Sequence, residues 1–212
     1  MVSPAKFVPL AEDARLIPAI GEWVLRTACK EAARWDSEVR VAVNVSPEQL
    51  HSPSFATMVA QALAQSGLPP ERLELEVTES VFMREGTQAI HVLERVLELG
   101  VRLSLDDFGT GYSSLGYLAH TRFSSIKIDR SFVQGASKGT KEAIAIIRAV
   151  VALADSLGMA TTAEGVETEE EHHMVQQLGC TKVQGYYFGR PLPVQEARAL
   201  ATRPPGGASA AA

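Results

Sequence analysis

Six polar residues recur at matching places in successive hydrophobic alternations: Asn44, Glu76, Asp106, Lys127, Glu164 and Gln184. They are 32, 30, 21, 37 and 20 residues apart, each about one strand–helix unit. Asn44, Glu76, Asp106, Asp107 and Glu164 offer oxygen donors of mixed charge. Such a set suits Mg²⁺, Mn²⁺ or Ca²⁺ better than zinc, which favours His and Cys. Asp106 and Asp107 are adjacent, in "LDDFGTGYSSL" (105–115). A double acid can bridge two cations, and such a pair lowers the pKa of a bridging water and clamps both oxygens of an in-line displacement at phosphorus. Lys127 fits beside the attacking water or the developing phosphoryl charge. The blander reading, which need not exclude the first, is an internal salt bridge with one of the acids. His51, His91, His120, His172 and His173 fall on helix or loop positions and read as surface or packing residues.

These residues need strands to hold them. "RVAVNVS" (40–46) alternates, with Val41, Val43 and Val45 on one face. "LELEVTES" (73–80), "VRLSLDD" (101–107), "SSIKIDRSF" (124–132), "ATTAEGVET" and "KVQGYYFG" continue the series. Helical patterns lie between them. Ser52 as N-cap, Pro53 at the first helical position and Gly67 as stop predict one helix. Ile90, Leu93 and Leu97 form the stripe of a second over 87–99, closed by Gly100. The longest covers 141–158, and another covers about 169–178.

Strands alternating with helices imply parallel βαβ units, and short, even repeats close most naturally into a (β/α)8-type barrel. An open doubly wound sheet is the alternative, weakened by the lack of a GxGxxG turn after the first strand. In a barrel the outer face of each strand lies under helices and must be apolar. Polar residues on the inner face must then be paired or bind a metal. All six residues fall on that inner face near the C-terminal strand ends, where barrel active sites lie.

A net charge of −5 argues against broad binding to polymeric nucleic acid, which needs a basic footprint. Two cysteines, Cys29 and Cys180, are too few for a disulfide framework and read as free packing residues in a reducing compartment. No apolar run reaches the length of a membrane span and no signal-peptide pattern opens the chain, which suggests a cytoplasmic protein or part of one. Residues 1–202 read as one barrel domain and 203–212 as a disordered tail.

The segments "SPAKFVPLAED", "NVS", "LELEVTES", "DDFGTGYSSL", "IKIDRSF", "AEGVET" and "VQGYYFGRPL", in this order, resemble the EAL family of cyclic di-GMP phosphodiesterases. The resemblance runs from Ser3 to Leu192. It implies Mg²⁺- or Mn²⁺-dependent hydrolysis of one phosphodiester bond of cyclic di-GMP to linear pGpG. By motif, Asn44, Glu76 and Asp106 resemble ligands of a first metal. Asp106 and Asp107 resemble the bridge to a second, with Glu164 close to it. Lys127 resembles the lysine that contacts the nucleophilic water, and Gln184 a site glutamine at the end of the last strand. Glu79 resembles the glutamate that anchors loop 108–115, which in this family links metal binding to a dimer interface. Glu167 resembles the second acid of the EGVE motif. Glu79 and Glu167 fit equally as cap or salt-bridge residues.

The resemblance also implies an absence. The Glu-Ala-Leu strand that names the family, its metal-binding glutamate, a following arginine and an opening hairpin would precede Met1. The expected barrel is therefore of the EAL type but incomplete, lacking its first two strands and leaving the strands at 40–46 and 182–188 with open edges. An upstream sensory or GGDEF-type domain is a further implied partner. Three readings follow: a phosphodiesterase impaired by truncation, a catalytically inactive cyclic di-GMP receptor or regulatory interaction module, or a truncated pseudo-domain that does not fold stably alone.

Overall fold

The period-two runs become six strands in a computed structural model that describes residues 3–109 and 116–202, apart from the side chains of residues 5, 83–87, 119 and 120. The strands are β1 (Val41–Asn44), β2 (Leu73–Thr78), β3 (Arg102–Phe108), β4 (Ser125–Ile128), β5 (Ala160–Ala163) and β6 (Lys182–Val183). They form one parallel sheet in chain order, β1 to β6. The helices are α1 (Pro4–Asp13), α2 (Ile17–Ala32), α3 (Pro47–Leu50), α4 (Phe55–Ser66), α5 (Ser80–Glu98), α6 (Gly116–His120), α7 (Arg130–Ser137), α8 (Lys141–Ser156), α9 (Glu169–Gln177) and α10 (Val194–Ala201). The tail expected at 203–212 and residues 110–115 of the expected loop lie outside the described residues.

The sheet curls. Lys127 on β4 reaches both Glu76 on β2 and Glu164 after β5. At the other end of the strands, Ala42, Glu74 and Lys182 from β1, β2 and β6 line one cavity of about 390 Å³. Among the described residues β1 and β6 share no ladder, so the barrel is incomplete, as expected. The chain nevertheless bridges the gap on its outer side. The Arg198 guanidinium of α10 forks onto the Glu31 carboxylate of α2 at 2.5 and 2.7 Å, and the Asp36 N–H donates to the Ala201 carbonyl at 3.0 Å.

The outer faces of the strands carry the core. Leu73, Leu75, Val77, Leu103, Leu105, Ile126 and Ile128 are fully buried beneath the helices. Each such side chain stabilises the fold by roughly 1.5–3 kcal/mol. Gly67 (φ +71°) and Gly100 (φ +89°) end α4 and α5, as the sequence suggests. Cys29 and Cys180 are free, and burial pushes both thiols up to about 11.

Several boundaries differ from expectation. The cap of α4 is Ser54, not Ser52; residues 52–55 form a turn in which the Phe55 N–H donates to the Ser52 carbonyl at 3.0 Å. The strand expected over 124–132 stops at Ile128, because Asp129 accepts from the Ser131 N–H at 3.0 Å and starts α7. Helix α5 begins at Ser80, directly after β2, rather than at 87. The strand expected through residue 189 keeps only Lys182–Val183. Beyond it the chain zips onto the loop after β5: Val166 donates to the Gln184 carbonyl at 3.1 Å and Tyr187 donates to the Val166 carbonyl at 3.1 Å. Gly185 permits that approach, since a Cβ there would lie 2.0 Å from the Val166 oxygen.

Candidate active site

Successive residues of a regular strand face opposite sides, so Asp107 should join the apolar outer face. It does not. Leu105 pairs with Ile126 and Phe108 with Ile128, so Asp106 and Asp107 together stand against Lys127. This β-bulge inserts one residue and returns Phe108 to the buried side. Asp107 absorbs the change with a left-handed backbone (φ +52°), which an acid with a short side chain tolerates better than most residues. Its N–H donates to Asp106 Oδ1 at 3.1 Å. Gly109 follows with φ +92°, and its N–H donates to Glu79 Oε1 at 2.8 Å. Glu79 is buried, so the first residue of β2's exit loop holds the exit of β3.

Lys127 lies at the centre. Its Nζ is 3.0 Å from Glu76 Oε2, 3.0 Å from Asp106 Oδ1 and 2.6 Å from Glu164 Oε1. The four side chains are 6–17% exposed. Burial alone would depress the Lys127 ammonium's pKa. The Glu164 hydrogen bond and the charges of Glu76, Glu164 and Asp106 outweigh that and hold it above the ordinary lysine range. Burial pushes the Glu76 and Glu164 carboxyls up, against the pull of Lys127. Asp107 exposes much of its own surface, yet the protein mass around it desolvates its carboxyl and raises its pKa; the charges of Asp106 and Asp129 add to this. Oxygens of Asp106, Asp107 and Glu164 can lie within 4.8 Å of one another, a spacing that can hold a metal ion. The donors are hard oxygens, which fits a divalent cation of the magnesium type.

Of the residues singled out from the sequence, Glu76, Asp106, Lys127 and Glu164 meet directly, and Asp107 adjoins them. Asn44 is the register partner of Glu76 at the end of β1, and is exposed. It lines a cavity of about 920 Å³ shared with α1, α2 and α3. Gln184 is also exposed, one residue past β6, with its N–H on the Ala163 carbonyl at 2.8 Å. Glu167 is exposed on the loop before α9. Its N–H donates to Glu171 Oε2 at 2.7 Å, so Glu171 rather than Glu167 is the capping acid there. The alternation 125, 127, 129 also points to Asp129, which was not among the expected residues. Its charge reaches Asp107, as does that of Arg130.

An acid–lysine cluster at the C-terminal ends of parallel strands lies where α/β barrels carry their active sites. The chain belongs to the EAL domain family, which matches residues 1–191. MucR of Pseudomonas aeruginosa, named a bifunctional diguanylate cyclase/cyclic di-GMP phosphodiesterase, is 42% identical over 200 residues, covering 92% of this chain and 29% of MucR. NbdA of the same organism, named a cyclic di-GMP phosphodiesterase, is 41% identical over 198 residues, covering 92% of this chain and 25% of NbdA. The solved structure of the PaMucR phosphodiesterase in complex with c-di-GMP has a TM-score of 0.88 at 41% identity, covering 92% of this chain and 81% of that one. The chain spans 25–29% of the length of these two curated relatives. Among the described residues no helix is long and apolar enough to cross a membrane.

Proposed function

We propose that this chain is the phosphodiesterase domain of a cyclic di-GMP signalling protein and hydrolyses one phosphodiester bond to give linear pGpG. The observation that carries this reading is the bulge that sets Asp106 and Asp107 together beside Lys127 and Glu164. Asn44, Glu76 and Asp106 would hold one Mg²⁺ or Mn²⁺, and Asp106, Asp107 and Glu164 a second. When bound, the two ions supply Lewis acidity and a nucleophilic water at neutral pH. The chain's own residues do the rest. Water attacks phosphorus, the P–O3′ bond breaks, and the 3′ oxygen takes a proton from solvent. Glu164, beside the attacking water, takes its proton. The Lys127 ammonium faces the charge that develops on the phosphoryl oxygens. Gln184, on the rim, contacts the substrate. Glu79 supports the loop that carries Asp107, and Glu167 supports the loop after Glu164 through its N–H on Glu171.

The domain occupies residues 1–202, works in the cytoplasm beside a sensory or GGDEF-type domain, and pairs with a second copy through the loop at 108–115. The test is turnover of cyclic di-GMP with Mn²⁺, with pGpG followed by chromatography. Asp106→Ala is expected to lose at least about a thousandfold, or ~4 kcal/mol of barrier. Tight binding of cyclic di-GMP with no metal-dependent pGpG would replace this reading with that of a receptor.

A further inference from the structure

Glu76, Asp106 and Glu164 leave three different strands and converge on one nitrogen. Each is mostly buried, and buried acids so close repel one another unless a cation stands among them. Among the described residues, Lys127 is the cation paired with all three. In the layer beneath, the Ser125 hydroxyl lies 2.8 Å from Ser104 Oγ and 3.3 Å from Glu74 Oε1, and Glu74 adds a further negative charge that acts on Glu76. We propose that Lys127 is the internal counter-ion of the metal-free domain. It is then a positioning residue as well as a catalytic one. It holds the carboxylates converged before any divalent cation arrives, so the barrel mouth folds without metal. A cation that takes oxygens from Glu76 and Asp106 competes with the ammonium for them. Metal loading therefore exchanges one positive centre for another instead of assembling the site from repelling acids.

This rests on the metal reading above only for the exchange step; the counter-ion role stands or falls without metal. The test is thermal melting of wild type, Lys127→Met and the double variant Lys127→Met/Glu76→Gln, each in chelator and in excess MnCl₂. In chelator, Lys127→Met is expected to melt about 10 °C below wild type. Excess Mn²⁺ should close at least half of that gap, because the ion supplies the missing charge. The double variant, with one acid fewer, should recover at least half of it in chelator. A packing role for Lys127 would leave the gap unchanged by Mn²⁺ and by the second substitution, and that outcome overturns the proposal. So does a Lys127→Met variant that melts within about 2 °C of wild type in chelator. If Lys127→Met is soluble only with Mn²⁺ and unfolds on chelation, the counter-ion role is supported. If it is insoluble under both conditions, the role is overturned. Wild type that does not respond to Mn²⁺ counts against the metal reading alone, and the chelator measurements still decide the counter-ion.

Discussion

Glu76, Asp106, Lys127 and Glu164 come from the inner strands or their ends and are nearly sealed, whereas Asn44 and Gln184 come from the two outermost strands and face solvent. The two groups face the same side of the same sheet and share one alternation in the sequence. What separates them is the number of neighbours. An inner strand has a strand on each side, helices behind it and the curl of the sheet in front. Charge there must be countered locally, and Lys127 supplies one positive centre to three acids. At β1 and β6 one flank has no strand among the described residues, and a polar side chain can rely on water. The interior group is therefore expected to be energetically coupled and the edge group nearly independent.

That contrast can be tested at its strong end first. Leu105→Ala removes a fully buried side chain just before the bulge and is expected to cost about 2–5 kcal/mol in denaturant unfolding. A cost below about 1 kcal/mol would mean that the bulge is not braced by the core behind it. Gly185→Ala tests the edge. Its Cβ would meet the Val166 oxygen, so the zipped loops must part, at about 1–3 kcal/mol. Release of Gln184 should also raise KM for cyclic di-GMP; an unchanged KM would detach Gln184 from the site.

Titration gives a smaller and more specific signal. The Glu76, Glu164 and Asp107 carboxyls are raised in the fold, with burial the first cause in each. A carboxyl that binds its proton more tightly folded than unfolded lowers stability as pH rises from its unfolded pKa to its folded one. In chelator, these groups should therefore lower the melting temperature as pH climbs above the ordinary carboxylate range. Glu164→Gln should make that slope shallower; an identical slope would remove Glu164 from the interior group. The smallest effect belongs to Asn44→Ala, which should change stability by less than about 0.5 kcal/mol. A loss above about 2 kcal/mol would end the distinction between edge and interior.

Much of this was legible in the residues. Valine and leucine alternations marked β1 to β3 and isoleucines marked β4, and their polar partners marked the inner face. Glycines at the ends of α4 and α5 fell where expected. Boundaries were less legible where a side chain captured backbone locally. Asp129 ends β4 by capping α7, and no hydrophobic pattern announces that competition. The shortening of β6 was illegible for another reason: it depends on Val166, a residue on a different loop. Lys127 had two open readings, a catalytic cation and a salt bridge. The ion pairs establish the second directly and are compatible with the first.

The sequence by itself determined which side chains face inward and that acids and a lysine gather at the strand ends. Alternation and residue type are local properties of a chain, and sheet formation preserves them. Only the tertiary structure decided that Asp106 and Asp107 both serve one side, because a bulge exists only relative to the partner strand that fails to match it. It also decided that Lys127 meets three acids rather than one. Those acids are brought to a common point by the curl of the sheet, which no single strand encodes.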